Sequence, residues 1–213
     1  MVDDLRDDLF LAELNERLFV HFLGQHWRAP LSERAFDVWR PRPGRIICAD
    51  QRDIARALAS VRGGAFDPRA VHAAAQAAWP RLRAVRRLEG VTESEVEEPD
   101  CDALPVCDLP GADGPVGLLT GAQVSPLAVA RVFMACAARG VLWKPSPRAA
   151  ASAHLLMRHL GPVAGDGLAL VQGDHATGCA LAGAAPTLFV SDQPVPDGLP
   201  VTVMRGPTGP RRP

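Results

Sequence analysis

The sequence predicts an α/β fold: a parallel sheet with helices on both faces, preceded by an N-terminal β-hairpin arm. Three observations predict it. After Gly114, short apolar runs of strand length alternate with helical stretches, the pattern of parallel strands joined by crossover helices. The helical stretches carry start chemistry, Asp67-Pro68 and Ser125-Pro126, with proline at the first helical position. Upstream, two β-rich runs flank the turn Gly24-Gln25.

In order, residues 3–17 carry Leu5, Leu9 and Leu14 among acids and arginines, an amphipathic helix or arm. Leu18–Phe22 and His26–Arg28 are strands about the turn, and Ala35–Trp39 is a third, ended by Pro41, Pro43 and Gly44. Ile46-Ile47-Cys48 is a short strand. Asp50 N-caps a helix through Ile54, Ala57, Leu58 and Val61 that Gly63-Gly64 stops. Asp67-Pro68 opens an alanine-rich helix, expected to break at Pro80 and resume through Leu82, Val85 and Leu88. Eight acids from Glu93 to Asp113, interleaved with Pro99, Pro105 and Pro110, make a solvated connector.

The strands beyond it are Val116–Thr120, Val141–Lys144, Leu168–Val171, Thr187–Val190 and Val201–Met204. Between them lie a helix from Ser125-Pro126 to Arg139-Gly140, one from Ala149 to Leu160 stopped by Gly161-Pro162, and a short one through Thr177, Cys179 and Leu181. Only Gln193–Pro200, with three prolines, separates the last two strands. That is too short for a helical crossover, so the last strand is expected to join the sheet differently or not at all. The expected organisation is an N-terminal arm, hairpin and helices over 1–92, the acidic connector over 93–113, a Rossmann-like half-domain over 114–206 and a tail over 207–213.

At 213 residues the chain fits one domain, or one and a half. A net charge of −1 gives no reason to expect nucleic acid or an anionic membrane as partner. No apolar run approaches the ~18–20 residues of a membrane span, and Met1-Val2-Asp3-Asp4 is the opposite of a signal peptide. Cysteines 48, 101, 107, 136 and 179 form no CxxC pair, and their odd number argues against a closed disulfide framework. A cytoplasmic location with reduced thiols is expected. His154 and His159, five apart, do not share a helix face, and neither they nor Asp174-His175 have a third ligand at suitable spacing, so no metal site is expected.

The chemistry concentrates at Gly140–Pro147. An apolar strand is stopped by two prolines, with Lys144 at its carboxyl end, where open α/β sheets place ligands. Of 23 basic residues Lys144 is the single lysine. A compact ammonium with three rotatable donors suits ribose hydroxyls or phosphate; a solvated lysine at a strand end has the same spacing.

Several motifs in order resemble the aldehyde dehydrogenase superfamily, over roughly residues 18–206. Leu18–Pro30, Phe36-Asp37-Val38 and Pro43-Gly44 are similar to the family's N-terminal hairpin, and Asp53–Ala57 to the following helix. Pro115-Val116-Gly117 resembles its PxG strand and Lys144-Pro145-Ser146 its KPS signature. Val171-Gln172-Gly173 with Gly178 and Leu181 resembles a further strand–helix segment; Phe189–Asp192 stands at its FTGS motif and Val201–Gly206 at its LELGG strand. The resemblance implies a nicotinamide-cofactor site at Lys144, Ser146, Gly173 and Gly178, with NAD or NADP as ligand.

The departures fall on that chemistry. The family's catalytic glutamate falls on Met204, its oxyanion-stabilising asparagine on Val124, the acid three residues beyond the lysine on Pro147, and the pyrophosphate-contacting serine on Asp192. Its catalytic cysteine belongs to a domain beyond LELGG, a position that none of these five cysteines occupies. The expectation is therefore a noncatalytic relative, with no catalytic residues of its own and weak or absent NAD(P) binding. It is expected to work as a homo-oligomer or in a complex with a full-length aldehyde dehydrogenase; the alternatives are a stand-alone, weak NAD(P)-binding module and an oxidoreductase acting on aldehydes only when complemented by another chain.

Overall fold

The computed structural model describes residues 20–38, 44–91, 114–191 and 200–204. The helix expected over 3–17, Trp39, the connector over 93–113, Asp192, Gln193–Leu199 and the tail over 207–213 lie outside the described residues. Strands β1 (His21–Leu23) and β2 (His26–Arg28) form the first hairpin, turning at Gly24 and Gln25, both at positive φ. β3 (Ala35–Val38) and β4 (Gly44–Ile47) pair antiparallel as a separate two-stranded ribbon. Helix α1 (Gln51–Ser60) follows, with Asp50 and Asp53 in a reciprocal capping box, and then α2 (Pro68–Leu88) behind Asp67.

β5 (Val116–Thr120), α3 (Pro126–Ala135), β6 (Val141–Pro145), α4 (Ala150–Ala164), β7 (Leu168–Leu170), α5 (His175–Ala184), β8 (Thr187–Val190) and β9 (Thr202–Met204) complete the order. The sheet runs β2-β1-β7-β6-β5-β8-β9. All pairings from β7 to β9 are parallel, and β1 joins β7 antiparallel through Phe22 and Leu170. From β5 the chain moves outward through β6 and β7, then returns to β8 on the other side. This is the order of a doubly wound Rossmann-like sheet, with its switch point between β5 and β8.

Alternation along the strands divides the core. Val116, Leu118, Val141, Trp143, Leu168 and Leu170 face α2, α3 and α4. Leu119, Leu142, Ala169 and Val171 face α1 and α5.

Three expectations are corrected. Helix α2 runs unbroken through Pro80. The lost bond and ring clash cost about 3 kcal/mol, but Val71, Leu82 and Val85 are buried along the same helix, each worth roughly 1.5–3 kcal/mol. Helix α4 likewise continues through Gly161-Pro162 to Ala164. Gly161 is there for space, since a Cβ would lie 2.6 Å from the ring of Phe22. Finally, β9 does join the sheet, parallel to β8, with Leu188 opposite Thr202 and Val190 opposite Met204. A three-residue strand needs a return of only ~10 Å, a distance within the extended reach of the eleven residues from 191 to 201.

Two buried ionisable groups tie these layers together. Glu89, at the carboxyl end of α2, accepts the Ser152 amide at 3.0 Å, which supplies α4 with the cap that Ala149 lacks. Asp53 accepts the amides of Leu31, Ser32 and Asp50 and lies 3.8 Å from the ring of buried His21.

Candidate functional site

The carboxyl ends of β5, β6, β7 and β8 form one edge of the sheet. At the switch point the crevice is packed. Gly121 donates to the Val190 carbonyl at 2.9 Å, and a Cβ on it would lie 3.1 Å from the Ser191 Cβ. The loop after β5 is pinned from behind by buried Arg86, which donates to the carbonyls of Ala122 (3.1 Å) and Gln123 (2.9 Å). Val124 follows them, half-buried against the apolar core. The cavity beside it, lined by Arg86, Thr120, Gly121, Val124, Trp143 and Ser152 among others, has space for about one water. Trp143 closes its floor by donating to Thr120 Oγ1 at 3.0 Å.

Lys144 stands on β6 opposite Leu119 of β5, on the α1 and α5 face of the sheet. It is 7% exposed. Burial brings its pKa down to about 8, opposed by the charge of Asp174. Among the described residues no hydrogen bond or ion pair engages its ammonium. Ser146 is differently placed. Its hydroxyl caps the short 3₁₀ turn Pro147–Ala149 through the Arg148 amide at 3.3 Å, and its amide donates to the Thr120 carbonyl at 2.9 Å. Gly173 follows β7, and a Cβ there would run into the Thr177 side chain. That hydroxyl in turn donates to the Ala49 carbonyl at 2.9 Å. Gly178 faces Leu119, and a Cβ there would sit at an ordinary 3.7 Å.

Of the four residues expected at the site, Lys144 has a charged group with no partner among the described residues, whereas the Ser146 hydroxyl accepts from its own 3₁₀ turn and Gly173 packs against Thr177. The fit to a nicotinamide dinucleotide is thus carried by one orphaned ammonium, which could donate to ribose hydroxyls. Pro147, on the 3₁₀ turn, supplies no carboxylate beside it. Met204 lies at the end of edge strand β9.

Two residues outside that expected set gather at Lys144. Asp174 N-caps α5, accepting the Thr177 amide at 3.1 Å. Arg34, 140 residues earlier, pairs with the Asp174 carboxylate through Nη1 and donates to Thr177 Oγ1 through Nη2 at 3.3 Å. Arg34 and the Thr177 amide hold the Asp174 carboxyl below its ordinary range. Cys48 is buried beside them, and desolvation raises its thiol. An acid directly before a helix was a readable sign of the cap; nothing local signals the pairing with Arg34. Elsewhere, the ring of His154 stacks on Trp27 at 4.1 Å, and Cys179 and His175 meet at 3.4 Å on the exposed side of α5. Among the described residues no group of three His, Cys, Asp or Glu is placed to hold a metal ion, and no helix is long and apolar enough to cross a membrane.

No family model matches the sequence, and no curated protein does. Solved structures are similar to it. HpcC from Thermus thermophilus superposes with a TM-score of 0.66 at 18% identity, over 86% of this chain and 45% of that one. The Delta-pyrroline-5-carboxylate dehydrogenase of Mycobacterium tuberculosis gives 0.64 at 19%, over 88% and 44%. An aldehyde dehydrogenase of Mycobacterium tuberculosis complexed with NAD+ gives 0.55 at 19%, over 82% and 46%. The chain therefore spans less than half the length of each of these structures. At these identities the likeness is one of fold, and the fold of this chain is aldehyde dehydrogenase-like.

Proposed function

We propose that this chain is a noncatalytic aldehyde dehydrogenase-like protein, a pseudoenzyme that acts as a partner subunit, with itself or with a full-length aldehyde dehydrogenase. The observation that carries the reading is Val124. Where the resemblance calls for a donor to a developing oxyanion, the loop presents an apolar side chain packed on the core. Its carbonyls are turned toward Arg86. One such donor is typically worth about 10²–10³ in rate. Met204 at the glutamate's position removes the base as well. Partnership is supported by β9, whose outer edge carries no strand among the described residues. The four-part organisation, with residues 93–113 as connector and 207–213 as tail, and a cytoplasmic setting belong to the same proposal.

A second reading, weak NAD or NADP binding, is favoured by the unpartnered Lys144. Both readings predict that the purified chain oxidises no short aliphatic or aromatic aldehyde with either cofactor. Cofactor reduction above buffer that disappears in Lys144→Ala would overturn the noncatalytic reading.

A further inference from the structure

We propose that Lys144 is a carbonyl-capturing amine, which condenses with an aldehyde to an imine at the carboxyl end of β6. The inference does not depend on nucleotide binding. It rests on what surrounds the chain's single lysine.

The side chain projects from β6 to the face occupied by Leu119, Leu142, Val171 and Leu181. An ammonium there loses most of its hydration, keeping only a narrow contact with solvent, and meets no acceptor among the described residues. The groups that act on its charge are Asp174 at the head of α5, Cys48 after β4 and Cys179 on α5. Burial keeps Cys48 a neutral thiol, so it brings no negative charge. Asp174 is the one carboxylate among the described residues that acts on Lys144, and it is already claimed. Arg34 pairs with it and the Thr177 amide donates to it. The Arg34–Asp174 pair thus withholds the partner that would keep the lysine charged. Burial wins, and Lys144 titrates at about 8. At pH 7.5 roughly a quarter of such amines are neutral, against ~10⁻³ for an ordinary lysine.

A neutral, desolvated lysine is the nucleophile of imine chemistry. Its nitrogen adds to the carbonyl carbon as the C=O π bond opens. The amine's proton passes through solvent to the oxygen, giving a carbinolamine. Loss of that hydroxyl as water then leaves C=N. Nothing is oxidised or reduced, and one aldehyde is held with release of one water.

The test is reductive trapping on the full chain with propanal and sodium cyanoborohydride, read by peptide mass spectrometry at Lys144. At pH 7.5 Lys144 should be alkylated at least tenfold faster than Nα-acetyl-lysine, with a pH profile half-maximal near 8. Arg34→Gln returns Asp174 to the ammonium and should move that profile upward. Asp174→Asn removes the opposing charge and should move it downward. Circular dichroism and urea unfolding identify which of the two variants remains folded, and one suffices. Trapping no faster than Nα-acetyl-lysine, or a profile unmoved in a folded variant, overturns the proposal.

Discussion

Replacing Glu89 with glutamine should change the pH dependence of stability in a way no surface carboxylate can match. Burial pushes the Glu89 carboxyl up to about 7 from an ordinary 4.5. Between those values the folded protein holds a proton that the unfolded chain has lost, so this group makes stability fall as pH rises. The full effect is about 3 kcal/mol, from ~1.4 kcal/mol per pKa unit. His21 does the opposite. Its ring accepts the Gln172 amide at 3.2 Å, and desolvation lowers its pKa to about 4 from 6.5. Over that window the unfolded chain binds the extra proton, and stability rises with pH by a similar ~3 kcal/mol. The two slopes nearly cancel in the wild type between pH 4.5 and 6.5. Glu89→Gln removes one of them, so urea unfolding should show the variant gaining about 3 kcal/mol over that range while the wild type stays nearly flat. Subtracting the two curves cancels the other carboxylates. Parallel curves would mean that Glu89 titrates as an ordinary carboxyl and that its burial against Ser152 is misassigned.

Asp174→Ala removes both the α5 cap and the Arg34 pair, and should cost about 1–2 kcal/mol in urea unfolding. Gly178→Ala should be neutral or stabilising by up to ~1 kcal/mol, because its Cβ has room in a helix. Gly173→Ala should destabilise by about 1–3 kcal/mol, because Thr177 is fixed between Ala49 and Arg34. Thermal melts rank the pair, and the reverse order would contradict the packing described at both glycines. Calorimetric titration should find NAD and NADP equally weak, since Pro147 offers no carboxylate to repel a 2′-phosphate; micromolar, NAD-selective binding would contradict this.

What the sequence made legible was local. Asp50, Asp67 and Ser125 announced their helices because an N-cap satisfies amides two or three residues away. The strands around Lys144 were legible because buried parallel strands are short apolar runs. Pro80 and Gly161 misled for the complementary reason. Both are breakers by local rules, and both sit in helices held by contacts with distant residues, Gly161 against Phe22 of β1. β9 misled because a rule for crossovers was applied to a strand of three residues. At the site, Lys144 stood out by composition. That the carboxylate acting on it, Asp174, is engaged by Arg34 is a fact of tertiary structure across 140 residues.

The central claim, a partner subunit without dehydrogenase chemistry of its own, is tested most directly by native mass spectrometry at low micromolar concentration, on the chain alone and mixed with a full-length aldehyde dehydrogenase. The account predicts a dimer or a mixed complex, weakened by charged substitutions at Thr202 on edge strand β9. A clean monomer in both samples, binding no hydrophobic dye, would contradict it and leave an isolated nucleotide-binding module as the better account.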